Sequence, residues 1–313
     1  MSTRPTLADL PKFPVVGGTM GLAVGVTIAR LLQVDVSALY CDPPTRFGEP
    51  WRLVTSALPH VNVMHLVFNV MMMWGFGWYV EAAFGHLRTL GLVLLFAAGS
   101  AAGEYAFLEG GIGLSGVLYG LFGMLLVLSH YDPRHRGIIP SKTAWTLTVW
   151  FFLCIVLTYA HLMPVANIAH GAGWLLGSLV GWAIARPRWR WPTAAATAAL
   201  TAGLVLLALV YRPRVNFLEP PGTDEDWMAL RDLKHDRPAA AEAWSRRAVA
   251  ANPADGRLWN NLGVALYQQN KGPEADAAFA KSAELAPKTP PPAQPVTPAP
   301  PAQPTTQHGD GTD

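Results

Sequence analysis

Polar side chains with the chemistry of acyl transfer occur inside otherwise apolar stretches of this sequence. Ser115 lies where a glycine-flanked loop enters an apolar run, and His170 lies near the start of another such run. A serine becomes a nucleophile when a histidine takes its proton, and the oxyanion that then forms needs hydrogen-bond donors. His60, His65 and Asn69 could act as donors near a third apolar run. These residue types together indicate a candidate hydrolytic site.

Each of these residues also has a plainer structural interpretation. A membrane serine usually bonds to its own helix backbone, and histidine or asparagine often links two packed helices. His65 and Asn69 are spaced i, i+4 and therefore share one helix face. Burying polar groups in a membrane is costly. A functional interpretation is therefore favoured if Ser115 and His170 lie at the same depth as His65 and Asn69.

Apolar runs that could cross a bilayer as helices fill the first two-thirds of the chain. Hydrophobic residues make up 51% of the sequence and charged residues 14%, against about 25% charged residues in soluble domains. About 20 apolar residues suffice for one helical span. Period-2 alternation is missing, so the predicted fold class is all-α, a polytopic membrane helical bundle. The seven predicted spans are 13–33, 62–80, 88–108, 114–130, 143–162, 166–185 and 192–211.

The orientation of the bundle is predicted from lysine and arginine, which are enriched in short cytoplasmic loops. These residues occur before the first span and after the second, fourth and sixth spans. The N-terminus is therefore predicted to be cytoplasmic. Seven spans then place the C-terminal region on the outer side, although Arg212 and Arg214, directly after the seventh span, argue against that placement. In this topology Ser115, His170 and His65 all lie toward the outer ends of their helices.

Glycines predict that the fourth and sixth spans pack closely. Gly173 and Gly177 repeat at every fourth residue of the sixth span, and Gly116 starts a similar stripe in the fourth. Small residues at this spacing let two helix backbones approach each other. The approach would bring His170 to Ser115.

In this order along the chain, the motifs resemble those of the rhomboid family of intramembrane serine proteases. The resemblance covers roughly residues 13–186, and it rests on the patterns H-x4-H-x3-N, G-x-S-G and A-H-x2-G-x3-G with a Trp-Arg pair in the long outer loop. The matching residues are His60, His65, Asn69, Gly113, Ser115, Gly116, Ala169, His170, Gly173, Gly177, Trp51 and Arg52.

The resemblance implies a catalytic role for some of these residues. Ser115 would attack the scissile carbonyl, and His170 would act first as general base and then as general acid, in a dyad that needs no carboxylate. The side chains of His65 and Asn69, with the backbone N–H groups of Ser115 and Leu114, would form the oxyanion hole. The substrates implied are membrane proteins cut in or near a transmembrane helix, and no cofactor is implied.

Supporting roles are implied for other matching positions. Tyr119 would pack against the catalytic histidine, and His60 would be a structural histidine nearby. Trp51 and Arg52 would stabilise the outer loop at the lipid boundary. Glu81 fits the end of the second helix, although the basic residue expected after it is replaced by Ala82.

The C-terminal region contains an internal repeat. Ala241 and Ala275 are 34 positions apart, as are Pro253 and Pro287, which resembles the period of a tetratricopeptide repeat. A protein partner of this region is one expectation. The Pro-rich segment after it has little apolar bulk, so we expect it to be disordered. The predicted division is an N-terminal segment 1–12, a six-helix core 13–186, an additional helix 187–211, a linker 212–224, repeats 225–287 and a tail 288–313.

Two other classes of function stay open at this point. His60, His65 and His170 could bind zinc, although neither an H-E-x-x-H motif nor a nearby acidic ligand is present. The chain could also be a membrane-anchored binding protein without catalysis. The net charge of +2 and the absence of basic runs argue against nucleic acid, and two cysteines argue against a disulfide scaffold. We expect a multi-pass protein of a bacterial plasma membrane.

Overall fold

Helices make up the regular structure of the chain. The computed structural model describes residues 5–216 and 218–286, and those residues contain α-helices and short 3-10 and π segments but no strand. The helices of the first two-thirds are α1 Pro14–Leu31, α2 Val63–Phe84, α3 His86–Phe107, α4 Ser115–Tyr131, α5 Ser141–Tyr159, α6 Asn167–Ala185 and α7 Arg190–Leu206.

The predicted all-α membrane bundle is confirmed. Six of the helical segments are long and apolar enough to cross a membrane, and α4 is apolar but shorter, with 17 residues. The helical segment that contains α7 runs from Pro187 through the π-helical turn Leu207–Tyr211 to Val215, which is 29 residues. These segments support an integral membrane protein.

The centre of the bundle is α4. Every residue from Gly116 to Leu125 is buried, and α2, α3 and α6 pack around the helix. The contact with α6 is the closest, because Cβ atoms at Gly173 and Gly177 would collide with the backbone carbonyls of Gly116 and Gly120. The glycine stripes therefore meet as predicted, and they hold the N-terminal ends of α4 and α6 side by side.

Glu81 joins the cytoplasmic ends predicted for α1 and α2. Its two carboxylate oxygens accept hydrogen bonds from the backbone N–H groups of Val15 and Val16, each at 2.9 Å. Proline at the first position of α1 offers no N–H, so Glu81 receives the next two free donors of that helix. The carboxylate also lies 2.6 Å from Nδ1 of His86.

The C-terminal third consists of two helix pairs. They are α8 Thr223–Lys234 with α9 Pro238–Ala251, and α10 Gly256–Tyr267 with α11 Gly272–Leu285. Ala241 and Ala275, the residues 34 positions apart, are both fully buried. The carbonyl of Pro253 accepts a hydrogen bond from Trp259 Nε1 at 2.9 Å. Pro287 and the tail 288–313 lie outside the described residues.

The C-terminal helices contact the long loop between α1 and α2. Arg46 of that loop lies 3.3 Å from Asp224 and 3.1 Å from Glu225. The ring of Phe47 contacts that of Trp244, with centroids 4.6 Å apart. The helix pairs therefore lie on the side of the bundle to which this loop belongs.

Arg212 anchors the connection between the two parts of the chain. Its guanidinium is buried, donates to the carbonyls of Tyr105 and Leu108 at the C-terminal end of α3, and pairs with Glu219 and with Asp224. A cation at the C-terminal end of a helix is favoured by the helix dipole. The positive charge of Arg212 had counted against an outer C-terminal region. In the structure this charge is paired with carboxylates of the protein itself.

Candidate active site

Ser115 and His170 meet where the first turns of α4 and α6 lie side by side. Nε2 of His170 lies 2.8 Å from Oγ of Ser115, which is hydrogen-bond distance. His170 is 5% exposed and therefore buried, whereas Ser115 is partly exposed. A histidine nitrogen at this distance can take the hydroxyl proton as the serine attacks a carbonyl.

The backbone before Ser115 turns at Gly113. Its φ angle is +114°, a conformation that favours glycine, and its N–H donates to the carbonyl of Ser56 at 2.9 Å. A Cβ atom at Gly113 would lie only 2.8 Å from Cε1 of His65. The turn therefore places Ser115 at the first position of α4, where helix N–H groups have no partner within the helix.

Tyr119 holds the imidazole of His170 on one side. The two rings are stacked, with centroids 4.5 Å apart and planes at 29°. Tyr119 lies one turn after Ser115 on α4, so the helix that carries the serine also supports the histidine. Nδ1 of His170 has no hydrogen-bond partner among the described residues, which leaves the ring to be oriented by packing and by the serine.

His60 fixes the loop that precedes α4. Its Nδ1 lies 3.0 Å from the carbonyl of Leu58, and its Nε2 accepts from the N–H of Leu114 at 3.3 Å. Acceptance at Nε2 requires the proton to sit on Nδ1, which then donates to Leu58. The N–H of Leu114, one of the predicted oxyanion donors, is therefore already occupied in this arrangement.

His65 and Asn69 lie beside this loop on the first turns of α2. The ring of His65 contacts that of His60, with centroids 4.9 Å apart, and borders Gly113. Asn69 is buried, and its Nδ2 donates back to the carbonyl of His65 at 2.7 Å, while its Oδ1 has no partner among the described residues. The ring of His65 is thus next to the loop that leads to Ser115, whereas the donor of Asn69 is turned onto its own helix.

A small cleft opens next to Ser115. Its free volume is about 20 Å³, and it is lined by polar groups as well as by small residues. The polar side chains that line it are Ser56, Ser100, Glu104 and Ser115. A space of this size has room for about one water molecule.

Arg52 organises the long outer loop close to the site. Its buried guanidinium lies 2.6 Å from Glu49 and 2.9 Å from Asp42, and it donates to the carbonyls of Ser37 and Tyr40. Burial raises the pKa of Asp42 to about 6, and the charge of Arg52 opposes that rise. The preceding Trp51 is 55% exposed at the edge of the bundle.

Glu104 is a residue of this site that the sequence motifs did not single out. It lies on α3, is buried, and accepts a hydrogen bond from the N–H of Ala169 at 2.8 Å, directly before His170. The signal was present in the sequence, since a carboxylate inside an apolar span is a candidate functional group. Its partner could not be predicted because 65 residues separate the two.

The described residues hold no group of three side chains suited to a metal ion. His60, His65 and His170 are near one another, but Nε2 of His60 is engaged by Leu114 and Nε2 of His170 by Ser115. The nitrogen atoms that would have to converge on one ion are therefore used in separate hydrogen bonds.

Comparison with known proteins agrees with the motifs. Residues 48–187 match the family model of the rhomboid domain. The chain is also similar to the rhomboid protease GlpG of Yersinia pseudotuberculosis, with 26% identity over 177 residues, which is 53% of this chain and 61% of that protein. The chain thus spans less than two-thirds of the length of this relative. Both findings support the rhomboid family for the region that contains Ser115 and His170.

Proposed function

We propose that this chain is an intramembrane serine endopeptidase of the rhomboid type, which hydrolyses peptide bonds in or near transmembrane helices of other proteins. The observation that carries the proposal is the 2.8 Å contact between Nε2 of His170 and Oγ of Ser115 inside a membrane bundle. The rhomboid-domain match over residues 48–187 and the similarity to a rhomboid protease support it.

The reaction begins with proton transfer from Ser115 to His170 as the serine oxygen attacks the scissile carbonyl. The imidazolium then gives its proton to the leaving amine, and the acyl-enzyme forms. Water enters through the polar cleft and attacks the ester as His170 takes one of its protons. His170 then gives that proton to Oγ of Ser115 as the bond to the acyl group breaks, which releases the acid product and restores the serine. No metal and no cofactor takes part in these steps.

The oxyanion is stabilised by donors that border the serine. They are the side chains of His65 and Asn69 and the first-turn N–H of Ser115, and one such donor contributes about 3 kcal/mol to the transition state. Asn69 must rotate its amide away from the carbonyl of His65, to which it now donates. Participation of Leu114 would require its bond to His60 to break, so its contribution is secondary.

Substrates approach Ser115 from the side that carries the outer loop. The charge pattern predicts that this side faces away from the cytoplasm. Since a helical peptide bond is protected by its own hydrogen bonds, substrates with helix-destabilising residues near the membrane boundary are favoured. The polar cleft next to Ser115 has a free volume of about 20 Å³, so only a small side chain beside the cut would be tolerated there.

The first prediction is that Ser115→Ala and His170→Ala each reduce cleavage of a model transmembrane substrate by more than about a thousandfold, because nucleophile and base act as one unit. Cleavage is measured in proteoliposomes, and circular dichroism checks that the helices are retained. Ser129→Ala is the matched control, since this buried serine lies on the same helix.

Labelling by a serine-directed phosphonate provides a second readout. The parent and Ser129→Ala should be labelled, and Ser115→Ala should not. Full cleavage by either dyad variant would contradict the proposal. A metal-dependent mechanism would instead show loss of activity in strong chelators, which we expect to have no effect.

We further infer that the C-terminal helix pairs are tetratricopeptide-like repeats that select substrates or hold a protein partner. Their contact with the outer loop through Arg46 and Phe47 brings them to the side of the bundle where Ser115 lies. A membrane-anchored binding role and proteolysis are then compatible, because the repeats would present a protein to the site.

A further inference from the structure

The helix that carries His170 has no capping side chain of its own. The residue before α6 is Ala166, which cannot accept a hydrogen bond through its side chain. The first-turn N–H groups of a helix have no partner within the helix and carry its positive dipole end. In α6 these donors belong to the residues immediately before His170, inside the bundle.

Glu104 supplies the missing acceptor from another helix. Its Oε2 lies 2.8 Å from the backbone nitrogen of Ala169, and the neighbouring N–H of Ile168 adds a favourable interaction with the charged carboxylate. The side chain is 4% exposed, so water does not compete freely for these donors. Within the described residues, no lysine, arginine or histidine forms an ion pair with it. The helix terminus is therefore the main counter-charge of this carboxylate.

We propose that Glu104 is a positioning residue that holds the first turn of α6 so that His170 stays at Ser115. The proposal rests on the proposed function. A carboxylate is absent from the dyad itself, since Nδ1 of His170 has no partner in the described part of the chain. Glu104 acts through the helix terminus and not through the ring.

The same protein contains a matched cap far from the dyad. Glu81 accepts from Val15 and Val16 at the first turn of α1, each at 2.9 Å, also from a neighbouring helix. Both carboxylates are almost fully buried. A change of Glu81 to glutamine therefore measures the cost of weakening such a cap, without altering the surroundings of His170.

The experiment compares Glu104→Gln, Glu104→Ala and Glu81→Gln in the full chain, reconstituted in proteoliposomes. Glutamine keeps the size and one acceptor oxygen but removes the charge. We expect Glu104→Gln to lower kcat by about tenfold with KM unchanged, and Glu104→Ala to lower it further. Glu81→Gln should leave kcat unchanged. Wild-type kcat in Glu104→Gln, or an equal loss in Glu81→Gln, would overturn the proposal.

Amide hydrogen exchange gives a readout that does not need activity. Glu104→Ala should speed exchange at Ile168 and Ala169, and Glu81→Gln should not. Unchanged exchange at these two amides would overturn the assignment of Glu104 as the cap of α6, even if the protein showed no proteolytic activity. Failure of the parent to react with a phosphonate would contradict the proposed function instead, so the two failures are distinguishable.

Discussion

Gly113 determines the position of Ser115, the proposed nucleophile. Its positive φ angle and its contact with His65 leave no room for a side chain. An alanine here would have to push against the ring of His65, a predicted oxyanion donor, as well as adopt an unfavourable backbone conformation. A side chain at Gly113 would therefore disturb the loop, Ser115 and His65 together.

We predict that Gly113→Ala lowers kcat by at least about tenfold, in addition to a cost of about 1–2 kcal/mol in stability from the backbone conformation. Gly48→Ala is the control, because Gly48 has a φ of +116° and open space around its Cβ position. Both variants should show a similar fall in unfolding temperature. Equal kcat values for the two variants would contradict the steric part of the prediction.

At the residue scale, the sequence predicted that Ser115 and His170 lie together, as they do at 2.8 Å, but not the hydrogen bonds around them. The spacing of His65 and Asn69 predicted a shared helix face, and motif order predicted Ser115 with His170. The bond from Leu114 to His60 could not be predicted, because it depends on which way a loop carbonyl and an imidazole turn. Glu104 was missed for a similar reason, since its acceptor role appears only when α3 and α6 are packed together.

The helical elements were more predictable than their contacts. Apolar length located all seven helices of the bundle, with ends displaced by a few residues, as 13–33 became Pro14–Leu31. Glycine spacing predicted the α4–α6 contact because close approach needs small residues on both faces. The C-terminal helices were predicted from a 34-residue period, whereas their position against the outer loop depends on contacts between residues about 180 positions apart.

Glu242 joins the two C-terminal helix pairs. Lys271 donates to its carboxylate at 2.6 Å, with further bonds from Arg246 and Gln269. These bonds lower its pKa from 4.5 to about 2. A carboxyl group with a lowered pKa adds stability above its unfolded pKa, and that stability is lost as the pH falls through the folded value.

We predict that Glu242→Gln speeds amide hydrogen exchange in α9 and α11 at pH 7, and that the difference from the parent shrinks as the pH falls from 4.5 toward 2. Exchange rates corrected for intrinsic pH dependence provide the measurement. Glu284→Gln is the control, since Glu284 is exposed and pairs only with Lys281 three positions before it. A difference that grew on acidification would contradict the assigned ion pairs.

On the scale of the whole molecule, the C-terminal helices pack directly against the long loop between α1 and α2. Arg46 and Phe47 contact these helices from the loop, while Arg52 ties the same loop together from within. A change in the position of the C-terminal helices would therefore also displace the loop that borders Ser115.

We predict that Arg46→Ala combined with Phe47→Ala increases protease cleavage in the linker 216–222, because the helix pairs lose their main contacts with the loop. Cleavage of a short model substrate should change by less than about threefold, since neither residue touches the dyad. Arg247→Ala is the control, because it removes only the contact of Arg247 with the ring of Trp244. Unchanged cleavage in this segment would show that Arg46 and Phe47 are not needed to hold the helices, and that the pairs of Arg212 and of Arg231 with Glu49 suffice.

The shortness of α4 has a consequence for which polypeptide segments could reach Ser115. Seventeen residues of helix rise about 25 Å, less than the roughly 30 Å of a bilayer's hydrocarbon core. Ser115 is the first of those residues, so we expect it to lie below the level of the lipid headgroups when the other end of α4 reaches the opposite face. Under the proposed function, a folded soluble protein would be too bulky to bring a peptide bond to that depth, whereas a segment that leaves its own helix could bend into it. The short helix would then restrict cleavage to polypeptide segments that can unfold locally within the membrane.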